Sequence, residues 1–212
     1  MTLALIVYLG VEDDLSEAVA RRLLQHANRG YDVGAVYGGR GFGDLKRNIR
    51  GWNSLSKTFP FLLLTDLDQT PCPPMLKNDW YPYPYHPNLI FRVAVREVEA
   101  WLLADASGFA AYLGVSKDIV PPKPETLLDP KSTLIQITRR SRLRKIRECI
   151  VPLENSTAQI GPDYNACLSE FVRNDWNVST ATKSSASLAR AVARLRGFEF
   201  QRSTEPSGGG GG

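Results

Sequence analysis

Cysteine, histidine and long apolar runs are scarce in this 212-residue chain, and each scarcity removes a class of function. Cys72, Cys149 and Cys167 are scattered, with no CxxC pair and no even framework, which excludes a cysteine zinc site and fits a reducing cytoplasm. The two histidines, His26 and His86, stand alone and read as structural or surface residues. No apolar run approaches the ~20 residues that cross a bilayer, so no membrane partner is expected. The opening MTLALIVYLGVEDD has no basic stretch ahead of its apolar run and meets acids early, so it reads as a first strand rather than a secretory signal. Residues 201–212, with the stretch RSTEPSGGGGG, read as a flexible tail. A net charge of +4 is mild, so any argument for a nucleic-acid partner must rest on where the charges lie.

What is present is a pattern of alternating strands and helices. Leu3–Leu9 is an apolar, β-rich run. The helical spacing of Leu15, Ala18, Val19, Leu23 and Leu24 follows, with Asp13, Asp14 and Glu17 at its positive end. Tyr31–Tyr37 predicts a second strand closed by GGRGFG, Leu45–Phe59 a helix, Phe61–Thr65 a third strand and Asn88–Val95 a fourth. Beyond Ala104 the pattern turns helical, at ASGFAAYLGV, within Ser132–Ile150, and at Tyr164–Val172 and Ser185–Leu195, with PPKPETLLDP as a stiff loop. The expected architecture is α/β: a Rossmannoid parallel sheet flanked by helices over residues 1–105, with a helical portion over 106–200 packed on it.

In parallel sheets, sites form at the carboxyl ends of the strands. Glu12 follows the first strand, Asp66 and Asp68 close the third in LLLTDLDQT, and Glu97 and Glu99 follow the fourth in VAVREVEAWLLAD. Five carboxylates on one edge are costly unless paired, hydrated or bound to a cation. Hard divalent ions take oxygen ligands, so Glu12, Asp66 and Asp68 are candidate ligands for Mg²⁺ or Mn²⁺. A second ion would draw on Glu97, Glu99, Asp13 or Glu17. Lys131, in DPKST, is a candidate for stabilising charge on a scissile phosphate.

The segments LGVEDDLSEAVARRLL, LLLTDLDQT, VAVREVEAWLLAD and DPKSTL resemble the DUF4276 group of Toprim-like proteins, relatives of the Toprim domains in overcoming-lysogenization-defect nucleases. The resemblance runs from about residue 3 to about residue 172. It implies a Toprim-like sheet in which Glu12, Asp66 and Asp68 hold one or two Mg²⁺ or Mn²⁺ ions and cleave nucleic acid, DNA foremost. It further implies an effector of anti-phage defence working with an ABC- or SMC-like ATPase. One departure stands out: Toprim glutamates are often followed by glycine, whereas Asp13 follows Glu12 here.

Two basic stretches would carry the nucleic acid. TRRSRLRKIR supplies Arg139, Arg140, Arg142, Arg144 and Lys145 beside an apolar stripe of Ile135, Leu143, Ile146 and Ile150. GRGFGDLKRNIRGW supplies Arg40, Lys46 and Arg47 around a glycine turn whose N–H groups can approach a phosphate. The aromatic, proline-rich NDWYPYPYHPN reads as a stiff surface loop, and Trp101 as core. Two other readings remain open. LLLTDLDQT also matches the DxDxT phrase of haloacid-dehalogenase-type phosphatases, with Asp66 as nucleophile and Asp68 as general acid. The chain can also be a non-catalytic subunit that binds nucleic acid or a partner. Oligomeric state is not legible, and a homo-oligomer stays open.

Overall fold

A computed structural model describes residues 4–39 and 41–202. Arg40 and the expected tail from residue 203 onward lie outside the described residues. Four strands, β1 (Leu5–Val11), β2 (Tyr31–Gly38), β3 (Phe61–Asp66) and β4 (Leu89–Ala94), form an all-parallel sheet in the order β2-β1-β3-β4. Three of the helices belong to the crossovers: α1 (Asp14–Ala27), α2 (Phe42–Leu55) and α3 (Pro73–Trp80). After the sheet come α4 (Val98–Leu103), α5 (Ala106–Leu113), α6 (Pro130–Arg139), α7 (Arg144–Ile150), α8 (Tyr164–Asn174), α9 (Val178–Ala181) and α10 (Ala186–Arg196). The expected α/β class, parallel sheet and helical C-terminal part are all present.

Side chains that alternate along the strands build a core on each face of the sheet. Val7, Leu9, Leu62, Leu64 and Ile90 face α1 and the later helices, in one cluster that continues through Trp101, Phe109, Phe171, Trp176 and Leu188. Phe61, Leu63, Leu89 and Phe91 face the other way, against Leu45, Ile49 and Trp52 of α2 and Leu76 and Trp80 of α3. The helical portion therefore shares its apolar core with the sheet. It is also stitched there by polar contacts: Tyr31 donates its hydroxyl to the Leu195 carbonyl at 2.6 Å, and Arg22 donates to the Trp176 carbonyl at 3.1 Å.

Several boundaries differ from the sequence expectation. The first strand runs to Val11, which brings Glu12 directly to the sheet edge. The helix expected over Leu45–Phe59 begins at Phe42 and ends at Leu55. The stretch read wholly as an aromatic loop contributes Asn78, Asp79 and Trp80 to α3, whose two prolines occupy the first turn, where a missing N–H costs nothing. The basic segment, expected as one or two helices, forms two, and the apolar residues expected in one stripe are split between them. Leu143 sits at the break as the N-cap of α7 and is 46% exposed, while Ile135 and Ile150 are buried. The cysteine expectation also changes, because Cys149 and Cys167 form a disulfide linking α7 to α8, with Cα atoms 6.5 Å apart. An 18-residue separation across two helices leaves no sequence signature. Among the described residues, no helix is long and apolar enough to cross a membrane.

Candidate metal site

The turn after β2 fixes the backbone of the first candidate ligand. Gly38 has φ +103°, and a Cβ there would lie 2.1 Å from the Val11 carbonyl oxygen, so only glycine fits. Gly39 N–H then donates to the Val11 carbonyl at 3.0 Å, and Gly41 N–H to the Glu12 carbonyl at 3.1 Å. These amides, expected to approach a phosphate, are spent on holding Glu12. Asp13 explains the missing glycine. It caps α1, accepting from Ser16 N–H at 2.8 Å, and its other oxygen accepts from Asn165 Nδ2 of α8 at 3.3 Å. It is therefore engaged as a helix cap.

Glu12 Oε1 accepts from the Asp66 main-chain N–H at 2.9 Å and from the Thr65 hydroxyl. Asp66 Oδ1 accepts from Val98 N–H at 2.9 Å, at the start of α4. Glu97 Oε2 accepts from Lys131 N–H at 2.9 Å, at the start of α6. Each of these carboxylates thus has one oxygen oriented by a main-chain N–H, leaving its second oxygen for another partner. Asp68 is exposed, with φ +48°, in a loop closed by Arg96, whose Nη1 donates to the Asp68 carbonyl at 3.0 Å. Glu99 is 2% exposed: Tyr164 donates its hydroxyl to Oε1 at 2.9 Å, Lys131 Nζ lies 3.6 Å from the same atom, and Oε2 has no partner.

The electrostatics show how crowded this edge is. Burial, then the charges of Glu99 and Glu12, push the Asp66 carboxyl well above its ordinary value. Burial raises Glu12, although the Thr65 and Asp66 hydrogen bonds oppose it. Burial and neighbouring Glu99 push Glu97 up to about 7. Burial raises Asp68 and Glu99 too, with Lys131 acting against both shifts. For Lys131 itself burial disfavours the charge, but Glu99, Glu97, Asp66 and Asp13 together hold its ammonium above the ordinary lysine value. A set of acids that each resist ionisation is the environment a cation relieves.

The oxygen-only donor set and its N–H supports suit a hard divalent ion. Among the described residues, no three carboxylate, imidazole or thiolate side chains already form a group spaced to hold an ion. Glu17 is not drawn in. It pairs with Arg21 at 2.7 Å and lines a groove of about 590 Å³ between α1 and α8, together with Arg22 and Arg173.

The basic candidates separate in the same way. Lys46 is paired with Asp79 at 2.7 Å, Arg47 with Asp44 at 3.2 Å and Arg144 with Glu148 at 2.6 Å. Arg140 and Arg142 line a depression beside Gly114 and Ser116, and Lys145 is exposed on α7. Among the described basic candidates, Arg139 shares a groove with the acids, one of about 380 Å³ lined also by Glu97, Asp129, Lys131 and Gln136. Thr65, Tyr164 and Asn165 escaped the sequence reading because a lone hydroxyl or amide carries no spacing signal. Comparison with protein-family models, with curated proteins and with solved structures finds no match for this chain.

Proposed function

We propose that this chain is a Mg²⁺-dependent, Toprim-like nuclease that hydrolyses phosphodiester bonds of nucleic acid, DNA foremost. The observation that carries the reading is the pairing of adjacent strand ends. Glu12 after β1 and Asp66 at the end of β3 are joined by the Asp66 N–H, with Asp68 two residues on and Glu97 and Glu99 opening the helix after β4. Glu12, Asp66 and Asp68 would hold the ion through the oxygens their hydrogen bonds leave open. When bound, such an ion neutralises charge on a phosphodiester and acidifies an attacking water.

The chain's own residues do the rest. Thr65 and the Asp66 N–H hold Glu12 in one orientation, and Val98 N–H does the same for Asp66. Lys131 adds fixed positive charge at the site, and Arg139 extends it along the neighbouring groove, where a phosphate chain can lie. In hydrolysis a water oxygen bonds to phosphorus, the ester P–O bond breaks, and the departing oxygen takes a proton. A cytoplasmic role in anti-phage defence beside an ATPase subunit belongs to the same proposal, through the resemblance.

The test is cleavage of supercoiled plasmid with Mg²⁺, Mn²⁺ or EDTA, comparing the wild type with Asp66→Ala/Asp68→Ala. Metal-dependent nicking that disappears in the double variant is expected. Hydrolysis of a small phosphomonoester with the plasmid untouched would establish the phosphatase reading instead. Unaltered partner or nucleic-acid binding by an inactive wild type and variant alike would establish a binding subunit.

A further inference from the structure

We infer that the Lys131 ammonium stands in the place of a second cation, so that this site takes one divalent ion rather than two. The inference rests on the metal-site reading above and refines it. Two groups of carboxylates meet at the sheet edge, Glu12 with Asp66 and Asp68, and Glu97 with Glu99. Among the described residues, no lysine or arginine lies within ion-pairing distance of Glu12, Asp66 or Asp68, so the first group feels the Lys131 charge only at longer range and has no cation in contact. The second group already has one. Lys131 Nζ lies 3.6 Å from Glu99 Oε1, and the main-chain N–H of the same lysine donates to Glu97 Oε2 at 2.9 Å.

Lys131 is held there by the way α6 begins. Asp129 caps the helix, accepting from Ser132 N–H at 2.6 Å, and Pro130 supplies a first turn that is preset in φ. Lys131, the next residue, therefore presents its amide to one acid and its side chain to the other. Glu99 is shut from solvent, and Tyr164 occupies its Oε1 as well. A magnesium ion arriving at this pair would have to shed water, which it does reluctantly, and displace a tethered ammonium. Removing the ammonium reverses that balance. Glu99 Oε2 is already buried without a partner, and Glu97 has an oxygen free of its N–H bond, so two carboxylate oxygens are left for a divalent ion once the ammonium is gone.

The experiment is a count of Mn²⁺ bound per chain, by calorimetric titration and by the manganese paramagnetic signal, in wild type, Lys131→Met and Lys131→Arg. One ion in the wild type, two in Lys131→Met and one in Lys131→Arg are expected. Two ions in the wild type overturn the inference while leaving the metal site standing. One ion in a folded Lys131→Met also overturns it. No ion in the wild type removes the metal-site reading itself, and the inference with it. Should Lys131→Met fail to fold, Lys131→Gln provides the uncharged comparison, and the wild-type count still separates one ion from two.

Discussion

The main-chain N–H of Asp66 points at the carboxylate of Glu12, 2.9 Å away, so the residue that ends one strand orients the acid that follows its neighbour. Orientation comes from the sheet itself, because β1 and β3 run in parallel and adjacent, with Gly10 opposite Leu63. The Thr65 hydroxyl completes the clamp.

Thr65→Val removes that hydroxyl while keeping a β-branched shape that suits a strand. Second partners of this kind typically change metal affinity by about 10–100-fold. Mn²⁺ titration should show a loss in that range, with a far-ultraviolet spectrum unchanged from wild type.

Metal binding should strengthen as pH rises through the neutral range. The Glu97 carboxyl is pushed up to about 7 in the fold, and Asp66, Glu12 and Glu99 are raised as well. Acids with a folded pKa above the unfolded value bind extra protons in the folded state between the two values. Their stabilising contribution is complete below the unfolded pKa, near 4.5 for Glu97, and is lost as pH climbs through about 7. A divalent ion replaces those protons. Melting curves at pH 5 and pH 8 should therefore show a larger upward shift on adding Mg²⁺ at pH 8, and chelation should abolish it.

Tyr164→Phe tests the buried end of the cluster. The phenol is a donor to a carboxylate that water does not reach. Hydrogen bonds to charged groups contribute about 1.5–3 kcal/mol, and urea unfolding should register a loss of that size.

The helical portion should prove inseparable from the sheet. Phe171 of α8 and Leu188 of α10 lie in one apolar cluster with Leu9 of β1 and Leu23 of α1. A fragment of residues 1–105 would expose that face, and should show no cooperative melt. In the full chain, Phe171→Ala should cost about 3–5 kcal/mol in a single transition.

Nucleic-acid binding should depend unequally on the basic residues. Lys46 and Arg144 have acidic partners, whereas Arg139 lies in the groove beside Glu97 and Lys131. Arg139→Ala should weaken binding and lower the slope of affinity against salt by about one, while Lys46→Ala should change little.

The parts of this molecule written as periodicity were legible before folding. The run Phe61–Thr65 reads as a buried strand because every position is apolar or small, and the acids after it read as an edge because parallel strands share one. What the sequence hides are relationships between distant residues. Nothing near Lys46 reveals Asp79, and the pairing of Cys149 with Cys167 depends on how α7 meets α8. The glycine turn misled for a physical reason: the same freedom that lets amides approach a phosphate lets them approach the carbonyls of Val11 and Glu12. Glu17 looked like a ligand by position, but one turn of helix swings it to Arg21.

Tyr164 and Asn165, neighbours at the start of α8, reach different acids: Tyr164 grips Glu99, and Asn165 grips Asp13, one residue from Glu12. The start of one helix thus supports both flanks of the carboxylate cluster. The same helix is bonded to α7 through Cys167 and buried against the core through Leu168 and Phe171, so both grips share one fixed anchor.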